Sequence, residues 1–314
     1  YFRTHPKCGV ELPKTVERAL EIDKETGTTF WADAIAKEMK TVFVAFEILP
    51  EDKMAPPGHK FIKCHLIFDV KSDGSMMRKA RFVAGGHRTP APETSVYSGV
   101  VSLQGIRIVT LIAELNGLLL WSTDIGNAYL ESYTMEKVCF IAGPEFGDQK
   151  GHTMVVVKAL YGLKSSGKCW HDRLFEVLSD MGFFPSKAEP DIWMRAAVDH
   201  YEYIACYVDD LLIASRKPQA IIMALEAGPH QFLLKGTGPV KFHLGCDYFR
   251  DEDGTLCVGP RTYIERLADQ HKALFGQAPK LAVTSPIEKN DHPELDTSDM
   301  VNEDGVKDVQ SMVG

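Results

Sequence analysis

The stretch YIACYVDDLLIAS, residues 203–215, places two adjacent carboxylates between two apolar runs. Residues 203–208 favour a strand because aromatic and β-branched side chains are frequent there, and residues 211–215 are apolar again. The polar pair between them predicts a β-hairpin with Asp209 and Asp210 at its tip. Two like charges in a poorly hydrated hairpin raise each other's pKa, and a divalent cation removes that cost. The pair therefore indicates either a metal site or an ordinary hairpin turn.

A third carboxylate, Asp124, follows a predicted strand over residues 118–123. The preceding helix begins after its N-cap Ser102 and ends at Asn116-Gly117. Its predicted buried positions are Ile106, Val109, Ile112 and Leu115. Small clusters of carboxylates that leave room for water and phosphate suit magnesium. Three carboxylates that hold two cations are the arrangement of two-metal phosphoryl transfer.

The remaining elements are predicted from apolar periodicity and from turn residues. The predicted helices are one with Trp31, Ile35 and Met39 on one face, one with Trp170, Leu174, Leu178 and Met181 on one face that ends at Gly182, and one over residues 263–275. The predicted strands are several between residues 42 and 83, starting with residues 42–46 and including a hairpin near Asp73-Gly74, then residues 154–157 and a short pair over residues 242–249.

Composition excludes several protein classes. The 314 residues contain no apolar run long enough for a membrane-spanning helix, which needs about 18 such residues. The seven cysteines are scattered and never form a CxxC pair, which argues against a disulfide framework and a zinc ribbon. These features are typical of a soluble intracellular protein with reduced thiols. The chain starts with Tyr1 rather than methionine, so we expect an excerpt of a longer or processed product.

Charge is divided unevenly along the chain, whose net charge is −8. Residues 60–88 carry seven basic and two acidic side chains, a local excess of +5, whereas residues 288–314 carry two basic and eight acidic ones, a local excess of −6. The basic segment is either a solvated face or a surface that binds nucleic acid. The acidic segment accounts for most of the net negative charge.

Seven sequence blocks together resemble the reverse transcriptase region of copia-type retrotransposons. The string YVDD at 207–210 resembles the YxDD signature of reverse transcriptases, and DIGNAY at 124–129 resembles their first carboxylate motif. The other blocks, in the family's order, are KARFVAGG at 79–86, VYSGVVS at 96–102, KALYGLKSSGKCW at 158–170, KAEPDIW at 187–193 and HLGCDY at 243–248. The resemblance covers roughly residues 30–285.

The resemblance implies a role for individual residues. It makes Asp124, Asp209 and Asp210 the catalytic carboxylates and the ligands of two Mg²⁺ ions, with Mn²⁺ as a substitute. It makes Tyr129 the residue that excludes a 2′-hydroxyl from the nucleotide site. The other implied nucleotide-binding residues are Gly162, Lys164 and one or more of Lys71, Arg78 and Arg81. The implied primer and template contacts are Tyr207, Val208 and the turn Leu244-Gly245.

The implied fold is an α+β right hand with fingers, palm and a partial thumb, in which an antiparallel palm sheet packs on helices. We expect residues 1–29 to be an N-terminal extension and residues 30–285 to be the reverse transcriptase domain. Within that domain the expected fingers are residues 41–100 and 132–158, the palm residues 101–131 and 159–250, and the thumb residues 251–285. Residues 286–314 are expected to be an acidic, disordered tail.

The implied function is RNA-directed DNA polymerisation, in which a primer 3′-hydroxyl attacks the α-phosphate of a deoxynucleotide. The implied partners are an RNA or DNA template with its primer, deoxynucleoside triphosphates, and the integrase, ribonuclease H and protease of the same polyprotein, without a membrane. The implied location is intracellular, in a cytoplasmic particle or the nucleus. Two departures leave the template contacts open: Ser165-Ser166-Gly167 replaces glutamine, a small residue and proline, and Gly85-Gly86 replaces lysine-glycine.

Two other functions remain open from the residues. Residues 162–168, GLKSSGK, satisfy the GxxxxGK pattern of a nucleotide-hydrolase P-loop, which would lie between a strand and a helix. Cys169 stands where that loop needs serine or threonine, and the P-loop would leave Asp124 without a role. The other alternative is a decayed copy that keeps the fold and binds nucleic acid without catalysis.

Overall fold

The computed structural model describes residues 6–7, 9–50, 53, 55–71, 75–89, 95–227, 230–278, 302 and 305–306. The chain divides into two compact units, residues 1–238 and residues 239–314. Helices and strands occur together in both units, so the predicted mixture of helix and sheet is confirmed. No helix within the described ranges has the length and apolar character needed to cross a membrane.

The elements are numbered in chain order. The α-helices are α1 (Val16–Thr26), α2 (Phe30–Val42), α3 (Leu103–Leu115), α4 (Ser166–Asp180), α5 (Pro218–Glu226) and α6 (Arg261–Phe275). The strands are β1 (Pro6–Lys7), β2 (Val10–Glu11), β3 (Phe46–Ile48), β4 (Lys60–Phe61), β5 (Cys64–Val70), β6 (Arg78–Ala84), β7 (Leu119–Ile125), β8 (Val138–Ile141), β9 (Thr153–Val156), β10 (Phe184–Pro185), β11 (Ile192–Ala196), β12 (Tyr201–Tyr207), β13 (Asp210–Ser215), β14 (Leu234–Pro239), β15 (Phe242–His243), β16 (Cys246–Arg250) and β17 (Leu256–Gly259). Short 3-10 helices cover Phe43–Ala45, Gly86–Arg88, Ala128–Glu131 and Pro144–Gln149.

A six-stranded sheet forms the centre of the first unit, with strand order β10-β11-β12-β13-β7-β14. The pairings from β10 to β7 are antiparallel. Residues 211–215 of β13 are all buried, because successive side chains of a strand point to opposite faces and both faces are covered. Leu211 and Ile213 pack with Trp170 of α4 and Leu225 of α5. The helix α3 contacts β7, β12 and β13.

A second core in the first unit gathers α1, α2, the hairpin β5–β6 and a smaller sheet of order β3-β9-β8-β4. Phe46 lies at its centre, with ring centroids 5.1–5.6 Å from those of Phe82, Phe140 and Phe146. Edge-on aromatic contacts of this kind stabilise a core beyond the burial of apolar area. The basic hairpin β5–β6 is therefore fixed on a well-packed base, and its tip lies outside the described residues.

Most predicted elements are present, and two details are wrong. The predicted strand over residues 42–46 is instead the end of α2 followed by a 3-10 turn, because the helical apolar period continues to the buried Val42. In α3, Leu115 is 75% exposed and Ile112 is only partly buried. The buried side includes the small residues Gly105 and Ala113, which let the helix approach its neighbours closely.

The second unit contains the three-stranded sheet β15-β16-β17 and helix α6. Leu244 and Gly245 form the turn between β15 and β16, with φ values of +47° and +81°. The carboxylate of Asp247 accepts hydrogen bonds from the backbone N–H and the hydroxyl of Thr262 at the start of α6. The predicted acidic tail, residues 286–314, lies outside the described residues apart from 302 and 305–306.

Candidate active site

Strand pairing brings the three predicted carboxylates to one end of the central sheet. Asp210, the first residue of β13, lies directly opposite Asp124 of β7 in the antiparallel register. Directly opposed residues have Cβ atoms about 4.5–5.5 Å apart and project to the same face. Asp209 is the neighbouring residue in the hairpin turn, and its carbonyl accepts a hydrogen bond of 2.8 Å from the N–H of Ile125.

The hairpin is tighter than the sequence predicts. Tyr207 pairs with Asp210, so the turn consists of Val208 and Asp209 alone, and the prediction that both carboxylates lie at the tip is wrong for Asp210. The pairing of β12 with β13 includes Asp210, one residue more than the polar pair Asp209-Asp210 suggests. Val208 has φ of +56°, and its carbonyl accepts a 2.8 Å hydrogen bond from Nε1 of Trp170.

The carboxylates raise one another's pKa. Burial, then Asp209 and Asp124, raises the pKa of Asp210 to about 6. Burial and Asp209 also raise the pKa of Asp124, while Lys235 and Lys79 act against that rise. The site therefore concentrates negative charge in a partly dehydrated place, with two lysines as partial compensation.

A divalent cation fits this donor set. As the side chains stand, no group of three or more histidine, cysteine, aspartate or glutamate side chains in the described part of the chain is arranged to hold a metal ion. The mutual repulsion of Asp124, Asp209 and Asp210 is nevertheless the cost that a bound cation relieves. Their ligand atoms are all oxygens, which hard cations such as Mg²⁺ prefer.

Two tyrosines stand beside the carboxylates. The ring centroids of Tyr129 and Tyr161 are 4.8 Å apart in an edge-on contact, and the guanidinium of Arg81 lies 5.3 Å from the Tyr161 centroid. Burial and Asp209 raise the pKa of Tyr129, and Arg81 opposes the rise. Tyr129, Tyr161 and Arg81 therefore form one wall of the carboxylate site, with Tyr129 half-buried.

The basic residues of the hairpin β5–β6 divide between its two faces. Arg78 lies on the side of α2, with its guanidinium 5.4 Å from the ring centroid of Phe30 and 5.7 Å from that of Trp31. Ala80, Phe82 and Ala84 share that face and are buried, so Lys79 and Arg81 project to the other one. Of the three predicted basic residues, Arg81 lies against the ring of Tyr161, Arg78 lies on the side of α2, and Lys71 interacts electrostatically with Lys79.

Sequence reasoning missed two lysines of the site, Lys79 and Lys235. Both interact electrostatically with Asp124. Burial, Arg81 and Lys71 lower the pKa of Lys79, which shows that positive charges crowd this face of the hairpin. The alternation of small or apolar residues along 80, 82 and 84 is a signal that could have found Lys79. Lys235 belongs to β14, whose position beside β7 no local pattern reveals.

Gly162 and Lys164 contact the backbone of the hairpin β5–β6 and of the segment that follows it. A Cβ atom on Gly162 would lie 2.0 Å from the carbonyl oxygen of Ala84, and the residue has φ of +92°. The ammonium of Lys164 donates a hydrogen bond to the carbonyl of Thr89. The structure therefore assigns both residues to the junction between the hairpin β5–β6 and the loop that precedes α4.

The start of α4 is already occupied by a carboxylate of the chain. Oε1 of the buried Glu136 accepts hydrogen bonds of 2.9 Å from the N–H and the hydroxyl of Ser165. The hydroxyl of Ser166 accepts a hydrogen bond from the N–H of Leu160 and donates one to its carbonyl. Both serines of Ser165-Ser166 therefore have partners within the chain. Lys168 pairs with Asp172 on the surface of α4. These contacts oppose the P-loop alternative, because a phosphate at the start of α4 would compete with Glu136 for the N–H of Ser165.

The predicted primer and template residues lie in both units. Tyr207 is 39% exposed at the end of β12, and Val208 is partly buried in the turn. The turn Leu244-Gly245 belongs to the second unit and is formed as predicted. The roles of these four residues stay a prediction.

Comparisons with known proteins agree on one family. The sequence profile of the family described as reverse transcriptase (RNA-dependent DNA polymerase) matches residues 53–288. A retrovirus-related Pol polyprotein from transposon RE1 of Arabidopsis thaliana is 28% identical over 262 residues, which are 80% of this chain and 17% of that polyprotein. The chain therefore spans less than a fifth of this relative.

Two further similarities concern a yeast protein and a solved structure. A putative transposon Ty5-1 protein of Saccharomyces cerevisiae is 25% identical over 181 residues, covering 54% of this chain and 59% of that protein. A foamy viral protease-reverse transcriptase, solved in complex with double-stranded DNA, is 12% identical, with a TM-score of 0.40 over 74% of this chain and 36% of the viral chain.

Proposed function

The chain belongs to the reverse transcriptase (RNA-dependent DNA polymerase) family, and from that membership we propose that it is the RNA-directed DNA polymerase domain of a copia-like retrotransposon polyprotein. The observation that carries the proposal is the placement of Asp210 opposite Asp124, with Asp209 in the adjoining turn. Sequence order separates Asp124 from the pair by more than eighty residues, and only the sheet brings the three together.

The finer assignment follows the right-hand architecture. The six-stranded sheet with α3, α4 and α5 corresponds to the palm, and the hairpin β5–β6 with the smaller sheet corresponds to the fingers. We assign the region of residues 251–285, which includes α6, to the partial thumb. A palm built in this way presents its carboxylates where fingers and primer meet.

Asp124, Asp209 and Asp210 would hold two divalent cations, Mg²⁺ or Mn²⁺. When bound, the cations activate the primer 3′-hydroxyl and stabilise the leaving pyrophosphate. The carboxylates would hold the ions at the end of the sheet, and the hydrogen bond from the N–H of Ile125 to the Asp209 carbonyl holds the turn against β7. Replacing one carboxylate would weaken cation binding, and the two remaining carboxylates would then lack the positive charge that offsets their repulsion.

The positive face of the hairpin suits the triphosphate of a deoxynucleotide. Lys79 and Arg81 project from this face, where Arg81 lies against Tyr161 and Lys79 interacts electrostatically with Asp124. Arginine and lysine neutralise phosphate charge as it develops. Tyr129 follows the first carboxylate by five residues and packs edge-on against Tyr161. The resemblance to the family makes its ring the group that would exclude a 2′-hydroxyl by bulk. Lys71 extends the same basic segment.

The partners follow from this chemistry. A template of RNA or DNA pairs with the incoming base, so the protein needs contacts to backbone and shape rather than to base edges. Tyr207, Val208 and the turn Leu244-Gly245 would contact the primer and template. An integrase and a ribonuclease H of the same polyprotein would act on the product, in a cytoplasmic particle or in the nucleus.

The test is primer extension on an RNA template with deoxynucleotides and Mg²⁺. We expect the parent chain to extend the primer and the Asp210→Asn variant to lose at least about three powers of ten in rate. Asp172→Asn on the exposed surface of α4 is the matched control and should extend like the parent. Absence of extension by the parent, with the fold intact and template–primer bound, would favour the decayed copy instead.

A further inference from the structure

The catalytic hairpin contains a backbone conformation that its sequence disfavours. Val208 has φ of +56° at the first position of a two-residue turn, where glycine and asparagine are the preferred residues. A β-branched side chain in this left-handed region is a genuine outlier. Such a residue persists only when surrounding contacts hold it, and outliers of this kind cluster at functional sites.

Two hydrogen bonds from outside the hairpin hold this turn. The N–H of Ile125 donates to the Asp209 carbonyl at 2.8 Å, and Nε1 of Trp170 donates to the Val208 carbonyl at 2.8 Å. The two consecutive peptide groups of the turn are therefore oriented by two different elements, β7 and α4. Rotation of either peptide would break a bond and move the Asp209 side chain.

Trp170 is itself rigidly placed. It is 1% exposed, and its ring packs edge-on against the buried Phe232 with centroids 5.6 Å apart. A buried indole N–H needs a partner, and here that partner is the carbonyl of a strained residue next to the catalytic pair. The tryptophan therefore does more than fill the core between α4 and the sheet.

We propose that Trp170 is a positioning residue for polymerisation, whose indole N–H holds Val208 in its left-handed conformation and thereby orients Asp209 and Asp210. The proposal rests on the proposed function of those carboxylates. It assigns the tryptophan of the block GKCW a task in catalysis that acts through the turn, without contact to the nucleotide.

The first experiment compares Trp170→Phe with Trp193→Phe. Phenylalanine keeps an aromatic ring but removes the indole N–H, and Trp193 is an equally buried tryptophan of the same core, with its ring packed on Phe175. We expect Trp170→Phe to lower kcat between about ten- and one-hundred-fold with little change in the KM for deoxynucleotide, because misplacement of reacting groups costs rate rather than affinity. Trp193→Phe should change kcat less than about two-fold.

The second experiment tests whether the effect passes through the turn. Glycine adopts positive φ without strain, so a turn with glycine at position 208 depends less on the indole bond. In chains that carry Val208→Gly, we therefore expect the further substitution Trp170→Phe to lower kcat by less than about three-fold. An undiminished effect of Trp170→Phe in the Val208→Gly background would overturn the proposal, since the tryptophan would then act elsewhere.

A third measurement does not depend on polymerase activity. Amide hydrogen exchange of the peptide 203–215 should accelerate at least about tenfold in Trp170→Phe, stay at the parent rate in Trp193→Phe, and slow again in Trp170→Phe with Val208→Gly. Unchanged exchange in Trp170→Phe contradicts the proposal even if the parent chain extends primers. If the parent extends no primer but Trp170→Phe still accelerates exchange, the turn contact is supported while the proposed function fails.

Discussion

At the scale of single residues, the carboxylate site predicts an unusual pH dependence of stability. Burial and its two neighbours raise the pKa of Asp210 to about 6 from an ordinary value of 3.8. A carboxyl whose pKa is raised by folding stabilises the protein below its unfolded pKa, and that contribution is lost as pH rises through about 6. The metal-free chain should therefore become less stable between about pH 4 and about pH 7 through this group.

Added Mg²⁺ should reverse that loss, because it binds the ionised carboxylates of the folded chain. Thermal unfolding followed by circular dichroism should show a larger Mg²⁺-induced rise in Tm near pH 7.5 than near pH 5. In Asp210→Asn most of this rise should disappear at both pH values. An equal rise in parent and variant would place the ion elsewhere.

Tyr129 makes a second prediction at the same scale. Its ring packs edge-on against Tyr161, and Asp209 helps to raise its pKa. On the proposed function, Tyr129→Ala should leave DNA synthesis intact and admit ribonucleotides. The measurement is the ratio of kcat/KM for a deoxynucleotide and its ribonucleotide, which should fall by at least about tenfold. Tyr133→Ala, at a tyrosine that is 75% exposed, is the control and should keep the parent ratio.

The residues of the site were predictable to different degrees. Asp124, Asp209 and Tyr129 carry motif spacing, so the sequence alone made them candidates, and their roles stay a prediction. The family match confirms the resemblance itself. Lys235 had no such signal, because its role depends on β14 lying beside β7 in the sheet. Arg78 illustrates the converse, since a residue of the basic segment stacks on Phe30 and Trp31, on the other face of the hairpin from Lys79 and Arg81.

At the scale of elements, Glu136 stabilises the start of α4. Its carboxylate accepts hydrogen bonds from Ser165 and from the hydroxyl of Thr89, all in a buried place. Glu136→Ala would leave the N–H and the hydroxyl of Ser165 without this acceptor, whereas the hydroxyl of Thr89 keeps its 2.7 Å bond to the carbonyl of Gly86. Buried unpaired groups cost about 1–3 kcal/mol each. We expect the free energy of unfolding of the first unit to fall by about 3 kcal/mol in urea denaturation.

The control for this prediction is Glu176→Ala, a substitution within α4 itself. Glu176 is exposed and forms an ion pair with Arg173 on the surface. Exposed pairs contribute about 0–1 kcal/mol, so this variant should unfold close to the parent midpoint. A similar loss in both variants would mean that removing a carboxylate near α4, rather than breaking the buried hydrogen bonds, determines the effect.

Gly162 tests the junction between the loop before α4 and the hairpin β5–β6. Gly162 and Gly151 have nearly equal φ values, +92° and +90°, but only at Gly162 would a Cβ atom meet backbone, 2.0 Å from the Ala84 carbonyl oxygen. Gly151→Ala should therefore cost about 1 kcal/mol from strain alone. Gly162→Ala should cost at least about 2 kcal/mol more in the same urea titration, because the backbone must separate. Equal costs would remove the close approach as the reason for glycine.

Elements were easier to predict than the way in which they pack. The sequence marks the ends of α3 by Ser102 and Asn116-Gly117 and the end of α4 by Gly182, and the structure confirms these ends. The buried side of α3 did not follow from its leucines, because small residues such as Ala113 face the sheet and Leu115 does not. Strand order, which joins β7 to β13 across the intervening chain, is a tertiary property that local patterns do not contain.

At the scale of the whole molecule, charge is separated along a chain whose total is −8. The basic segment, residues 60–88, has a local excess of +5, and most of its described part is the hairpin β5–β6. Binding of template–primer through phosphate contacts releases counterions, with a slope in log K against log salt of about −0.9 per phosphate neutralised. We therefore expect a slope of about −4 to −5 in a fluorescence-anisotropy titration of the parent chain.

The acidic residues 286–314 should weaken this binding, because their net charge of −6 repels the phosphates of the template–primer. Removing them changes the net charge of the chain from −8 to −2. Template–primer affinity should rise several-fold at low salt, and the gain should vanish as salt approaches about 1 M, where the screening length is about 3 Å. A chain in which residues 286–314 are replaced by the same residues in a scrambled order is the control, and it should bind like the parent because its charge is unchanged. If the scrambled chain instead binds like the shortened one, a specific contact of the native segment would replace the electrostatic explanation.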